Sequence, residues 1–255
     1  MTAGAILAYH WPRALSHQAR GFFLSISMPS QSLFLALPTY GDLNPLFTQS
    51  LIKFLADPGV PLKVKFQCGD SLVSRARNTL SAQFLASDCT HLLFIDSDLI
   101  FSRDQVLQLL SHGKPVVGGF YPKKQDGELA WVCNAFADAP EQDPGTDLLR
   151  VRYLGTGFLL IERAVFEMMA EAYALHYTPD GQPDGVDWDF WPVGIHQAPD
   201  GRRRYLSEDW YFCQRWADMG GTIWADPHVV LRHCGHAIYP LQSQVAGIFP
   251  QAQAA

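Results

Sequence analysis

The sequence predicts an α/β fold built on a doubly wound, mostly parallel central sheet that is flanked by helices. Over the first half of the chain, apolar runs typical of buried strands alternate with segments whose apolar residues recur at helical spacing. Clusters of Gly, Pro and Asp separate these segments. Alternating strands and helices form βαβ units with a parallel sheet, and ligands of such sheets bind beyond the carboxyl ends of the strands.

The first half of the chain contains four predicted strands and three predicted helices. The strands are apolar or alternating segments that end in turn residues, and they comprise Ser32–Gly41, Leu62–Gly69, His91–Asp98 and Lys114–Lys124. The helices comprise Asn44–Ala56, Ser71–Ala86 and Arg103–His112. A proline in the first turn supports the first helix, and apolar residues four apart support the second. A capping box formed by Ser102 and Gln105 supports the third.

The second half changes to shorter strands, which predicts a smaller β element beside the main sheet. Its predicted strands are Leu129–Ala137, Leu149–Ile161, Thr222–Asp226 and Val229–Gly235, and its predicted helices are Arg163–Tyr173 and Ser207–Gly220. Between them, Thr178–Arg204 is rich in Gly, Pro, Asp and aromatic residues and has no periodicity. A segment of this length and composition is typical of a lid, a binding loop or a disordered segment.

The composition indicates a single globular domain, which we place at residues 32–240. The chain has 255 residues, of which 48% are hydrophobic and 17% are charged. We expect residues 1–31 to be a weakly structured extension and residues 241–255 to be a frayed tail. The N-terminal region lacks the run of about 18 apolar residues that a transmembrane helix needs, and the order of its charges does not fit a secretory signal.

Charge and cysteine usage exclude some functions. The formal net charge of −6 gives no basic surface for nucleic acid or for an anionic membrane. The five cysteines are scattered and show no paired metal-binding spacing, which favours reduced thiols in a cytoplasmic protein.

Two carboxylates, Asp96 and Asp98, stand on either side of Ser97 at the end of the third predicted strand. Alternate residues of a strand point to the same side of the sheet, so we expect the two carboxylates to lie on the same side. Like charges this close repel unless a cation neutralises them. Mg²⁺ and Mn²⁺ bind through one or two carboxylates and substrate phosphate oxygens. A structural interpretation, in which both acids belong to a turn at the strand end, is about equally supported by this motif alone.

Three later segments bear on that choice. Gly155, Thr156 and Gly157 begin an apolar strand, where glycines allow a ligand close to the backbone but also mark bulges. Glu208 and Asp209 open a helix, where they serve either the helix dipole or a general base. His233 ends another apolar strand and is either structural or a metal ligand, with His236 nearby as a second candidate.

In this order the four features resemble the nucleotide-sugar-dependent glycosyltransferases of the GT-A fold, closest to the family-2-like enzymes. The likeness spans about Leu33 to Tyr239. It implies a Rossmann-like GT-A domain with a nucleotide-binding half at residues 32–127 and an acceptor and metal-completing half at 128–240. The N-terminal extension has no counterpart in the family pattern.

The resemblance also implies roles for individual residues. Asp98 and His233 would bind the metal, and Asp96 would bind the metal or the donor ribose. Asp209, with Glu208 beside it, would act as the base. The implied donor contacts are Pro38, Thr39, Tyr40, Arg75, Arg77, Asn78, Asp96, Ser97, Gly155, Thr156 and Gly157.

These roles imply a metal-dependent, inverting transfer of a sugar from a nucleotide diphosphate sugar, such as a UDP- or GDP-sugar, to a hydroxyl of a glycan, lipid or protein. The cofactor would be Mn²⁺ or Mg²⁺. Trp188, Phe190 and Trp191 in the long loop either stack on a sugar ring or form a small core of the loop. Lys123 and Lys124 either meet the diphosphate or lie on the surface.

Three alternatives remain. A haloacid-dehalogenase-type phosphatase would use Asp96 as a nucleophile, but that family carries its motif on the first strand. A sugar-nucleotide pyrophosphorylase would need a Gly-rich, basic loop after the first strand, which the segment after Leu37 does not supply. A catalytically inactive nucleotide-sugar-binding protein would share the fold without turnover.

Overall fold

The computed structural model describes residues 31–136, 141–179, 186–198 and 200–240. The elements within these ranges follow one another as β1 (Leu33–Thr39), α1 (Pro45–Ala56), β2 (Leu62–Cys68), α2 (Val73–Leu85), β3 (His91–Ile95), β4 (Leu99–Ile100), α3 (Arg103–Ser111), β5 (Val116–Phe120), β6 (Cys133–Asn134), β7 (Glu141–Gln142), β8 (Leu149–Val151), β9 (Tyr153–Leu154), β10 (Phe158–Glu162), α4 (Arg163–Tyr173), β11 (His176–Tyr177), β12 (Asp187–Trp188), β13 (Gly194–Gln197), β14 (Arg203–Leu206), α5 (Glu208–Asp218), β15 (Ile223–Val230), β16 (Arg232–Cys234) and β17 (Ile238–Tyr239).

A sheet of eight strands in the order β2-β1-β3-β10-β5-β15-β8-β7 forms the centre of the protein. The pairings of β1 with β2, β1 with β3, and β5 with β15 are parallel. Strands β10 and β8 run against their neighbours, so the other six strands share one direction. The predicted fold class, a mostly parallel Rossmann-like sheet flanked by helices, is confirmed.

Alternate residues of the strands face two separate hydrophobic clusters, as a doubly wound sheet requires. Leu33, Leu35 and Leu37 of β1 pack with apolar residues of α1 and α3. Phe34 and Ala36 of the same strand pack with apolar residues of α2, α4 and α5 on the opposite face. The unbroken apolar run of β1 thus reflects burial on both faces of the sheet.

Sequence predictions of the helices hold well, because their end signals are local. Asn44 accepts the Leu46 backbone N–H at the start of α1, just before Pro45. Both bonds of the capping box formed by Ser102 and Gln105 are present at the start of α3.

The third strand is shorter than predicted. β3 ends at Ile95, and Asp96 to Asp98 form a turn in which the Asp96 carbonyl accepts the Leu99 backbone N–H at 3.2 Å. The expectation that Asp96 and Asp98 extend a strand is therefore wrong, because the chain turns there to enter β4. The predicted strand at Lys114–Lys124 likewise ends early, at Phe120.

The predicted loop Thr178–Arg204 contains ordered elements in its described parts. β12 and the hairpin of β13 and β14 lie within it or reach into it, whereas residues 180–185 and 199 lie outside the described ranges. Phe190 and Trp191 are fully buried in the cluster beneath α2 and α5. They neither face a sugar nor form a separate core of the loop.

At the end of the chain, the boundary between the two predicted strands, Thr222–Asp226 and Val229–Gly235, is displaced. β15 continues past Asp226 to Val230, with an irregular register between these two residues, and β16 follows it. The expected N-terminal extension and the C-terminal tail lie outside the described residues, apart from Gln31. Within the described residues, no helix is long and apolar enough to cross a membrane.

Candidate functional site

An open cleft of about 240 Å³ lies at the carboxyl edge of the main sheet. The end of β1, the turn after β3 and the beginning of α2 form its walls. The predicted residues that line it are Pro38, Thr39, Tyr40, Arg77, Asp96, Ser97 and Asp98. Asp70, Ser71, Val73 and Ala76 complete the lining and were not foreseen as site residues. The sequence therefore located the main wall of the cleft from the carboxyl ends of the first and third strands.

A small antiparallel sheet of β4, β16 and β17 brings His233 to Asp98. Leu99 is the register partner of His233, and the Cys234 backbone N–H donates to the Asp98 carbonyl at 2.8 Å. His233 Nε2 then lies 3.4 Å from Asp98 Oδ1. Backbone pairing thus holds the two side chains together although they come from opposite halves of the chain.

The tautomer of His233 follows from its other ring nitrogen. Nδ1 lies 2.8 Å from the carbonyl oxygen of Pro122, and a carbonyl can only accept, so Nδ1 carries the proton. In a neutral imidazole, Nε2 then presents a lone pair towards Asp98. A histidine that donates through one nitrogen and offers the other is the arrangement typical of metal ligands.

Asp98 itself has one paired and one unpaired oxygen. Lys124 Nζ forms a salt bridge with Oδ2, whereas Oδ1 is buried and has no hydrogen-bond partner among the described residues. Burial raises the pKa of Asp98, but His233, when its ring is protonated, and Lys124 outweigh it and leave the pKa below its usual value. When the imidazole is neutral, Asp98 Oδ1 instead lies beside the lone pair of Nε2, and an oxygen and a nitrogen so placed can bind a divalent cation.

Asp96 belongs to a different charged group. The Nη2 atom of Arg77 donates to Asp96 Oδ1 at 3.0 Å, and Arg77 Nε lies 3.6 Å from Glu208 Oε1. The Arg77 side chain is only 4% exposed and lies over the Phe94 ring at 5.2 Å. Its Nε and Nη1 atoms have no hydrogen-bond partner in the described structure. Arg77 therefore joins the turn after β3 to the start of α5 from inside the protein.

The two acids at the start of α5 have different surroundings. Burial raises the pKa of Glu208; Arg77 opposes this shift, whereas the neighbouring Asp209 adds to it. Asp209 accepts through Oδ1 from the Ser207 hydroxyl at 2.5 Å and from the Trp210 backbone N–H at 2.8 Å. Its Oδ2 makes no hydrogen bond within the described residues, so Asp209 keeps an oxygen for a further donor.

Gly155 and Gly157 allow a close approach, but the group that approaches is the buried side chain of Tyr121. A Cβ at Gly155 would lie 2.3 Å from the Tyr121 hydroxyl, and one at Gly157 would lie 2.7 Å from it. The Gly157 backbone N–H donates to that hydroxyl at 2.9 Å, and Thr156 is buried between the glycines. In this structure residues 155–157 pack against Tyr121, and a Cβ at Gly157 would also lie 2.9 Å from Asp96 Oδ2; their contact with a donor stays a prediction.

Tyr121 is a site residue that sequence analysis missed. Burial and the charge of Asp96 raise its pKa well above its ordinary value, so the phenol stays protonated. Its ring also meets the His233 ring edge-on, with centroids 5.4 Å apart. No local pattern around Tyr121 marks it, because its importance comes from contacts with residues distant in the chain.

Two predicted donor contacts, Arg75 and Asn78, do not line the cleft itself. Arg75 is exposed and forms an ion pair with Asp70 at 2.8 Å, at the rim of the cleft. Asn78 is buried, donates to Asp189 Oδ1 at 3.2 Å and accepts from the Trp191 backbone N–H at 3.1 Å. Asn78 thus serves the packing of the segment around Trp191.

The predicted three-ligand metal set is not assembled. In the described part of the chain, no three His, Cys, Asp or Glu side chains are arranged to hold a metal ion. Arg77 engages Asp96, and only Asp98 and His233 lie together. His236, the other histidine candidate, pairs with Asp126 and Tyr239 instead.

Comparison with known proteins adds little beyond the chain path. No protein-family model and no curated protein matches the sequence. Among solved structures, A197 from STIV has a TM-score of 0.47 at 19% identity, covering 80% of this chain and 86% of that one. CMP:2-keto-3-deoxy-manno-octonic acid synthetase, solved with CTP, has a TM-score of 0.40 at 11% identity over 77% of this chain and 89% of that one.

A third similar structure is 4-diphosphocytidyl-2C-methyl-D-erythritol synthase from Anaerococcus prevotii. Its TM-score is 0.30 at 10% identity, over 56% of this chain and 75% of that one. At such low scores and identities, none of these proteins assigns a substrate or a reaction to this chain.

Proposed function

We propose that this protein is a metal-dependent glycosyltransferase that moves a sugar from a nucleotide diphosphate sugar to a hydroxyl acceptor. One observation carries the proposal. A cleft at the carboxyl edge of the sheet ends at Asp98, whose unpaired buried oxygen faces the Nε2 atom of His233 at 3.4 Å. This is the edge at which open α/β sheets bind nucleotides.

The nucleotide-binding wall is the first part of the proposed site. Pro38, Thr39 and Tyr40 follow β1, and Tyr40 is 73% exposed, which leaves its ring available to a base. Ser97 and Asp96 form the opposite side, with Asp96 held by Arg77 for the ribose. The open shape of the cleft suits a polar, elongated ligand.

Asp98 and His233 are the residues that would hold Mn²⁺ or Mg²⁺. The ion supplies charge that stabilises the leaving diphosphate. Lys124, bound to Asp98, adds a second positive group at the same place. Asp96 would bind the donor ribose and not the ion, because Arg77 already donates to its Oδ1 atom.

Asp209 is the proposed base in an inverting displacement. Its Oδ1 atom is fixed by Ser207 and by the backbone of Trp210, while Oδ2 takes the acceptor proton as the hydroxyl oxygen attacks. Glu208, held near Arg77, maintains the position of this end of α5. The acceptor is a hydroxyl of a glycan, lipid or protein.

Calorimetric titration with nucleotides and nucleotide sugars, with and without Mn²⁺, tests the proposal. We expect wild-type protein to bind a nucleoside diphosphate in a Mn²⁺-dependent way, and Asp98→Ala to weaken that binding by about tenfold or more. Asp88→Ala is the matched control, because Asp88 is an exposed acid that pairs with Lys63. Absence of nucleotide binding, or binding that ignores both Mn²⁺ and Asp98→Ala, refutes the proposal. Phosphate-ester turnover lost in Asp96→Asn would indicate the phosphatase alternative.

A further inference from the structure

Lys124 is the cation that occupies Asp98 in this structure. Its ammonium group forms a salt bridge with Asp98 Oδ2, and both side chains are 33% exposed. The other oxygen of the same carboxylate is buried and unpaired. One oxygen of the carboxylate thus binds a cation of the protein itself, and the other lies unpaired beside His233.

The aliphatic part of the Lys124 side chain packs beside Gly235. Gly235 follows β16, and a Cβ there would lie 3.1 Å from Lys124 Cδ and 3.5 Å from its Cγ. The backbone on either side of Lys124 is also tied down. The Lys123 backbone N–H donates to the Ala130 carbonyl at 2.7 Å, and the Gln125 backbone N–H donates to the Lys123 carbonyl at 3.0 Å. The contact is therefore a built feature of the site and not a chance surface ion pair.

The same short segment also supports the histidine. The carbonyl oxygen of Pro122, two residues before Lys124, accepts a hydrogen bond from Nδ1–H of His233. Tyr121, one residue further back, accepts the Gly157 backbone N–H. The segment after β5 therefore both orients the His233 imidazole and supplies the ammonium group that binds Asp98.

We infer that Lys124 is an internal counter-cation that competes with the divalent metal for Asp98 and, once displaced, binds the donor diphosphate. The inference rests on the proposed function and names a regulation of the same site. Two cations at one carboxylate repel each other, so metal binding and the Lys124–Asp98 pair oppose one another. The released ammonium group has three donors and no acceptor, which suits phosphate oxygens.

A single substitution, Lys124→Met, should strengthen Mn²⁺ binding and weaken nucleotide binding. Lys124→Met keeps the apolar stem and removes the charge, so we expect Mn²⁺ to bind about tenfold more tightly in the absence of nucleotide. At saturating Mn²⁺, we expect UDP or GDP to bind about tenfold more weakly. Electron paramagnetic resonance of free Mn²⁺ measures the first affinity, and calorimetry measures the second.

Two further variants serve as controls. Lys123→Met removes the charge of the exposed neighbouring lysine and should leave both affinities unchanged. Lys124→Arg keeps a positive charge at the position and should keep Mn²⁺ affinity near the wild-type value. Thermal unfolding of each variant checks that it folds.

The inference is overturned if Lys124→Met binds Mn²⁺ no more tightly than wild type does. It is also overturned if neither wild type nor any variant binds Mn²⁺. An equal loss of both affinities also overturns it, because it indicates a structural role for Lys124. The proposed function is judged separately, by Mn²⁺-dependent nucleotide binding to wild-type protein. If that binding is present while Lys124→Met behaves as wild type, only the inference about Lys124 fails.

Discussion

His233 Nε2 lies 3.4 Å from Asp98 Oδ1, and the backbones of the same region are hydrogen-bonded between Cys234 and Asp98. The side-chain contact is therefore a consequence of strand pairing between β4 and β16. It does not hold the strands together. The His233 side chain can therefore be replaced without breaking the backbone pairing of β4 and β16.

We predict that His233→Ala weakens Mn²⁺ binding by about tenfold to a hundredfold. The free energy of unfolding should fall by only about 1–3 kcal/mol, for the lost Nδ1–Pro122 hydrogen bond, because the Cys234–Asp98 backbone bond remains. Paramagnetic resonance gives the Mn²⁺ affinity, and urea unfolding gives the stability. His228→Ala is the control, since His228 is exposed and pairs with Asp147 away from the cleft. Equal Mn²⁺ affinities of wild type and His233→Ala would remove His233 from the metal site.

Arg77→Met should destabilise the fold by about 3 kcal/mol. The substitution removes the buried cation between Asp96 and Glu208 and leaves two carboxylates without their partner. Chemical denaturation measures the loss.

Arg75→Met is the matched control for that measurement. Arg75 is 59% exposed and pairs with Asp70 at the surface, so its loss should cost about 1 kcal/mol or less. Adding Asp96→Asn to Arg77→Met should restore part of the stability, because it removes one of the unpaired charges. A double variant no more stable than Arg77→Met would show that the ion pair is not the cause.

The elements of the fold were predictable because their signals are local. The unbroken apolar run of β1 reflects burial on two faces, and the capping box of Ser102 and Gln105 lies within one helical turn. The carboxyl ends of β1 and β3 then locate the cleft without further information. Asp98 and His233 meet because both belong to a small sheet at that edge.

The remaining features depend on contacts that no local pattern records. Trp191 is buried because its indole N–H donates to Ser81 at 2.9 Å and its ring stacks on Phe212 at 4.2 Å. Those partners come from α2 and α5, so the surrounding segment has no periodicity of its own. Arg77 was predicted as a donor contact from its place in α2, and it lines the cleft, but its pairing with Asp96 and Glu208 could not be read from the sequence.

Glu208 makes stability depend on pH. Burial raises its pKa above the ordinary value of 4.5; the nearby positive charge of Arg77 opposes that shift, and the negative charges of Asp209 and Asp96 add to it. The folded state then holds the proton more tightly than the unfolded state. The stability contributed by protonated Glu208 is full below pH 4.5 and is lost as the pH rises through the raised pKa.

Glu208→Gln removes that dependence. Relative to wild type, the variant should therefore gain free energy of unfolding as the pH rises from about 4 through the raised pKa. Urea unfolding across this range, for both proteins, measures the difference. Glu167→Gln is the control, because Glu167 is an exposed acid on α4. A difference between wild type and Glu208→Gln that stays constant or changes in the opposite direction would contradict the pKa shift.

Gly155→Ala should destabilise the protein by about 1–3 kcal/mol through overpacking. The new Cβ would lie 2.3 Å from the Tyr121 hydroxyl and 2.6 Å from Val132 Cγ1. Thermal unfolding measures the loss, and Gly41→Ala is the control because nothing lies within 4 Å of a Cβ there.

A double-mutant cycle with Tyr121→Phe identifies the group responsible. Phenylalanine removes the hydroxyl but also leaves the Gly157 backbone N–H without its acceptor, so Tyr121→Phe alone should cost about 1–3 kcal/mol. Because the clash with the hydroxyl disappears, Gly155→Ala should cost less in the Tyr121→Phe background than in wild type. Additive losses would mean that Val132, and not Tyr121, requires a glycine at position 155.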